Sequence, residues 1–155
     1  LDGQFCAICT SPTYGNRMAD HHNAHDGSRR NTYRHTLGRP LTPGNTGMMQ
    51  WGEEYRHKHT RIWTECERVL RPDGLMIVNV SDHIRKGQAV QVVDWHVKAI
   101  TSIGLLLIDK IPVKTPRLRF GANRDVRVSV EWILVFLHLP NVPFLLRHYA
   151  ERTPC

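Results

Sequence analysis

A compact apolar run, Leu75 to Val80, lies between two segments whose apolar residues fall at helical spacing, and this pattern constrains the fold most tightly. The run is bounded by Pro72-Asp73-Gly74 and Ser81-Asp82-His83, so it reads as a buried central strand. Upstream, Trp51, Tyr55, Ile62, Cys66, Val69 and Leu70 line one face of a helix from about Met48 to Leu70. Downstream, Val90, Val93, Val97, Ile100 and Ile103 mark a second amphipathic helix, with Gly104 as its stop. Leu105 to Val113 is a further strand. A long strand-like run from Val126 to His138 comes after it across a basic loop, which predicts an antiparallel hairpin. Phe5 to Thr10 opens the series as a buried strand closed by Ser11-Pro12, because proline ends ladder pairing. Strand, loop, helix, strand, helix, strand, strand predicts a three-layer α/β fold. Its sheet is mostly parallel, with an antiparallel hairpin at the end.

A chain of 155 residues, 41% hydrophobic and 23% charged, has the bulk for one domain with a core. Its formal charge of +7 suits a polyanionic partner such as nucleic acid, and equally a solvated basic surface. The longest apolar stretch, Val130 to Leu139, is interrupted by Glu131 and too short to cross a bilayer. Cys6, Cys9, Cys66 and Cys155 are irregularly spaced, which argues against a disulfide framework and for a reducing, cytoplasmic setting. Cys6 and Cys9 form a C-x-x-C inside a strand pattern, where buried core thiols are expected rather than a redox or zinc pair.

The candidate site is the cluster Thr10-Ser11-Pro12-Thr13-Tyr14-Gly15-Asn16. It stands at the carboxyl end of the first strand, where open α/β sheets place their ligands. A simple strand-ending turn is the alternative reading. Residues 15–47 are rich in Gly, Pro, Asn, His and Arg and have little hydrophobic period. Arg29, Arg30 and Arg34, interleaved with His21, His22, His25, Tyr33 and His35, suit phosphate neutralisation and base stacking, or else a solvated loop. His21, His25 and Asp26 lack a second ligand pair at metal spacing, so no metal is expected. Asp82 either shapes a pocket with Ser81 and His83 or caps the next loop.

Ser11-Pro12-Thr13-Tyr14 resembles the signature of the S-adenosylmethionine-dependent DNA amino-methyltransferases: Ser, Asn or Asp, then Pro-Pro, then an aromatic residue. Thr13 stands at the second Pro, which frees one backbone dihedral and adds an N–H. Three later segments resemble the same family in the same order. Arg68-Val69-Leu70-Arg71-Pro72-Asp73-Gly74 with its adjoining strand is shared widely among Rossmann-like methyltransferases. Ser81-Asp82-His83 falls near the expected target pocket. Val130 to Phe136, behind the basic loop that carries Arg117, Arg119 and Arg124, matches the last hairpin strand.

The resemblance implies a partial Rossmann-like methyltransferase domain over residues 1–139, including loop 15–47, with 140–155 as a tail. It implies catalytic roles for Ser11, Pro12 and Tyr14. Ser11 Oγ and the Pro12 carbonyl would accept hydrogens of a cytosine or adenine amine, whose lone pair is otherwise delocalised into the ring. Tyr14 would stack on the flipped base. Thr13, Asn16, Arg17, Ser81, Asp82 and His83 would surround that base, and Arg29, Arg30, Arg34, Arg117, Arg119 and Arg124 would hold DNA. The amine would attack the methyl sulfonium in one displacement, without a metal or a covalent enzyme intermediate. Ser at the first position points to cytosine N4 ahead of adenine N6, and both stay open. The family's glycine-rich loop and acidic residue, which hold S-adenosylmethionine, lie upstream of this cluster and have no counterpart here. Pro43-Gly44-Asn45-Thr46-Gly47 follows no strand and is no substitute. With Leu1 in place of Met, the expectation is a fragment that binds the cofactor weakly or not at all and lacks an N-terminal cofactor-binding segment. The rival readings are a non-enzymatic nucleic-acid-binding remnant and a methyltransferase for RNA, protein or a small molecule.

Overall fold

A computed structural model of the chain describes residues 2–13, 38–39, 42–85, 87–116 and 128–139. Among these residues six strands and two α-helices run in the order β1 (Phe5–Thr10), α1 (Glu53–Val69), β2 (Leu70–Val80), β3 (His83–Arg85), β4 (Gln88–Val90), α2 (Val92–Ser102), β5 (Leu105–Lys114) and β6 (Val130–His138). A single 3-10 turn, Thr46–Met48, precedes α1. The chain divides into two compact units. One comprises Leu1–Pro12 with Thr60–Cys155 and holds the sheet; the other is Thr13–His59. Helix α1 contributes to both.

Four strands form one sheet in the order β1-β2-β6-β5, and β3 and β4 form a separate two-stranded ribbon. β1 is parallel to β2, while β6 is antiparallel to both β2 and β5, so β1, β2 and β5 share one direction. This is the expected α/β sheet with its closing hairpin. Both helical crossovers, β1 to β2 and β2 to β5, step the same way across the sheet. The right-handed rule for such connections therefore puts α1 and α2 on one face. A buried hydrogen bond between the helices agrees: Trp63 Nε1 of α1 donates to His96 Nδ1 of α2 at 3.2 Å. Sheet and one helical layer are present among the described residues; the second helical layer of the three-layer expectation is not among them.

The core follows the alternation of the strands. Met76, Val78 and Val80 of β2 and Leu134 and Phe136 of β6 are buried, joined by Trp63, Val92, Val93, Ile100 and Leu105. In α1 the buried face is Tyr55, His59 and Trp63. The predicted stripe included Ile62, which is exposed, because one aliphatic residue at a plausible spacing outweighed a histidine one turn away. The helix also starts at Glu53 rather than Met48. Glu53 and Glu54 fill its first turn and Arg68 its last, each complementing the helix dipole. Helix α2 ends at Ser102 with Ile103 as its cap, and Gly104 just beyond takes a φ of +109° that suits a residue without Cβ.

Two expectations need correction. The Pro72-Asp73-Gly74 turn lies inside β2, which already begins at Leu70. The ladder with β1 jumps from Phe5↔Leu70 to Ala7↔Leu75, so the turn bulges out of an otherwise paired strand. Asp73 takes a φ of +60°, and a Cβ on Gly74 would come within 2.8 Å of the Arg71 carbonyl oxygen. The second correction concerns β1, which is an exposed edge strand and not a buried one. Phe5 is 47% exposed, and Cys6 and Cys9 are exposed thiols rather than core residues. An apolar run declares a strand but not its neighbours, and among the described residues β1 pairs only with β2. The residues between Ser81 and Gln91, not assigned to any element from sequence, form the β3-β4 ribbon about Gly87.

Candidate active site at the carboxyl edge of the sheet

β1 and β2 run parallel with Thr10 opposite Val78, so their carboxyl ends emerge at the same edge of the sheet. Ser11-Pro12 therefore leaves the sheet at the same edge as Ser81-Asp82-His83. Ser11 is exposed, Pro12 is buried, and Thr13 is half-buried with no partner for its Oγ1 among the described residues. Tyr14, Asn16, Arg17, Arg29, Arg30, Arg34, Arg117, Arg119 and Arg124 lie outside the described residues, as do His21, His25 and Asp26.

The β2 tail has structural commitments. Ser81 is buried, with its Oγ 3.0 Å from the Asp82 carbonyl oxygen and 3.2 Å from that of Val130 at the start of β6, two acceptors that share its single hydrogen. Asp82 Oδ1 accepts from the Val93 N–H at 2.9 Å. It thereby caps α2 from a distance, where the local N-cap residue Gln91 makes no side-chain bond. His83 is half-buried at the start of β3, opposite Val90.

Two further groups were not singled out from sequence. Asn79, on β2 just before Ser81, donates from Nδ2 to Glu131 Oε2 at 3.3 Å, while its buried Oδ1 has no partner among the described residues. An isolated Asn in an apolar run was the only signal. Tyr55 is fully buried and donates its phenolic hydrogen to the Thr13 carbonyl at 2.6 Å. Its ring stacks on His59 at 3.8 Å and sits 5.1 Å from Trp51. His59 Nδ1 lies 3.0 Å from the Tyr55 carbonyl, and burial holds the imidazole below its ordinary range, so it packs as the neutral ring.

The arrangement offers hydrogen-bond acceptors at an exposed strand end, and among the described residues no group of three or more His, Cys, Asp or Glu side chains clusters as metal ligands. No helix among them is long and apolar enough to cross a membrane. S-adenosylmethionine would need a close-approach glycine turn at this edge. A Cβ on Gly74 would come within 2.8 Å of the chain's own Arg71 carbonyl oxygen, at the amino-terminal end of β2 and away from this edge.

Comparison with known proteins places this geometry. Among curated proteins none matches. Solved structures do. A DNA modification methylase from Thermus thermophilus, in complex with S-adenosyl-L-methionine, superposes with a TM-score of 0.58 at 16% identity, over 99% of this chain and 56% of that one. The cytosine-N4-specific PvuII DNA methyltransferase gives a TM-score of 0.54 at 14% identity, over 99% of this chain and 49% of that one. The chain thus spans about half the length of the structures it matches, and it has the Rossmann-like methyltransferase fold in part. The N6/N4 family profile, described as DNA methylase, matches residues 6–143, from within β1 to beyond β6, and the chain belongs to that DNA amino-methyltransferase family.

Proposed function

We propose that this chain is the target-base half of a DNA amino-methyltransferase acting on the exocyclic amine of cytosine or adenine. The observation that carries the reading is the placement of Ser11-Pro12 at the carboxyl end of β1, with Ser11 exposed, beside the carboxyl end of β2. There Ser11 Oγ and the Pro12 carbonyl can accept the amine hydrogens of an everted base, and Tyr14 can stack on it. Arg29, Arg30, Arg34, Arg117, Arg119 and Arg124 would neutralise phosphates, in keeping with the charge of +7. Asn16, Arg17, Ser81, Asp82 and His83 would line the base. Of these, Ser81 and Asp82 would act through the backbone they fix. The catalytic part would be residues 1–139, with 140–155 a tail.

S-adenosylmethionine is the methyl donor this reading requires, held by residues outside those described, on a complementary segment. Support comes from the span of half a relative and from the bare side of the sheet, where Leu75, Ile77, Ile133 and Val135 are only half-buried. Two titrations and one assay test the reading. Duplex DNA should bind with an affinity that falls steeply with salt, and S-adenosylmethionine alone should bind weakly. DNA binding with no methyl transfer under any cofactor supply would favour a nucleic-acid-binding remnant. Label from S-adenosylmethionine appearing in peptide or RNA, and never in duplex DNA, would overturn the proposal.

A further inference from the structure

We propose that Tyr55 is a positioning residue that does for Thr13 what a second proline would do for the Ser11-Pro12 acceptor pair; the inference rests on the base-binding reading above. The direction in which the Pro12 carbonyl points depends on ψ of residue 12 and φ of residue 13. A proline at 13 would lock that φ near −65°, and threonine leaves it free. The chain ties residue 13 down at its other end. Tyr55 Oη donates to the Thr13 carbonyl oxygen at 2.6 Å, across 42 residues of sequence. A tether is only as rigid as its anchor, and this anchor is fully buried, stacked on His59 and flanked by Trp51, on the first turns of α1. The Thr13 side chain adds nothing to the restraint, since its Oγ1 has no partner among the described residues. No backbone hydrogen bond from the Thr13 N–H is found among them either.

The test uses the full chain in four forms: unchanged, Tyr55→Phe, Thr13→Pro, and both together. Tyr55→Phe keeps the ring and removes the donor. Amide exchange and backbone relaxation at Ser11, read by NMR, should loosen about fivefold in Tyr55→Phe, the loss expected for one hydrogen bond. The α1 amides near Ile62 should stay protected. Thr13→Pro added to Tyr55→Phe should restore Ser11 to its original behaviour. A Ser11 unmoved by Tyr55→Phe, loosening that spreads along α1, or failure of Thr13→Pro to restore order would each overturn the proposal. The second readout is methyl transfer to duplex DNA with S-adenosylmethionine and a complementary cofactor-binding segment supplied. Tyr55→Phe should lower kcat with KM for DNA unchanged, and the double variant should recover. Equal transfer by all four proteins overturns the positioning role. Transfer by none, with Ser11 behaving as expected, strikes the methyltransferase reading and leaves the tether standing.

Discussion

The two faces of the sheet carry the same kind of side chain and have opposite fates. On one, Met76, Val78, Val80, Leu134 and Phe136 are fully buried. On the other, Leu75, Ile77, Ile133 and Val135 are half-buried, Cys9 is exposed, and Ile111 and Val113 remain 41% and 37% exposed. Cross-strand partners agree with the division: Met76 pairs with Phe136 and Val78 with Leu134, while Ile77 pairs with Val135 and with Cys9. A strand buried on both sides reads as a continuous apolar run, and β2 reads that way. Its composition thus anticipates cover on two faces, whereas the topology puts both helices on one.

The contrast between the faces is most open to test at Phe136. Phe136→Ala on the closed face should cost about 3–5 kcal/mol, a cavity among fixed neighbours, in denaturant unfolding. Val135→Ala, the next residue along and facing the other way, should cost about 1 kcal/mol, because a half-buried side chain has less transfer free energy to lose and no closed cavity to leave. Equal losses would show that the second face is as closed as the first.

The same asymmetry explains what could be read in advance. β1 was legible to the residue, and β5, α2 and the closing hairpin nearly so, since alternation, helical spacing and Gly104 are local signals. Exposure of β1, Cys6 and Cys9 was not legible, because burial depends on neighbours that a local run does not name. The helix face was misplaced by one position. His59 is buried as a neutral ring against Tyr55, a state that hydropathy does not assign to histidine. At the candidate site, the position of Ser11-Pro12 came from reading Phe5–Thr10 as a strand. The Tyr55 tether did not, since a bond spanning 42 residues leaves no periodic trace. Asp82 was readable as a cap, although the helix it caps begins ten residues later.

Thiol reactivity gives a second, smaller contrast. Cys9 lies exposed on the open face, whereas Cys66 is half-buried on α1. Burial, with the Glu65 carboxylate beside it, pushes the Cys66 thiol up from its ordinary value. A raised thiol carries less thiolate at a given pH, and the thiolate is the nucleophile. At pH 8, Cys66 should therefore alkylate at least about tenfold more slowly than Cys9, with the gap narrowing as pH rises and closing in denaturant. Peptide mapping of a maleimide time course reads both sites at once. Parity in the native chain would mean that the helical side opens as freely as the bare one.

The least change is expected where the open face meets the edge of the sheet. Ile111 and Val113 stand on β5, an edge strand whose outer side has no ladder partner in the described sheet, opposite Ile133 and Glu131. Replacing either with lysine removes apolar surface that water already reaches, so unfolding free energy should change by no more than about 0.5 kcal/mol. Charge on such an edge also discourages strand-to-strand pairing between copies. Ile111→Lys and Val113→Lys together should then leave the unfolding midpoint in place while lowering both binding of a hydrophobic dye and any concentration-dependent association. Because β5 already tolerates Pro112 between them, the ladder itself sets no further demand on these positions. If the double variant instead lost several kcal/mol, the residues would have to be covered in solution. The face called open would then be an occupied one, its exposure filled by a second copy of the chain or by a segment outside the described residues.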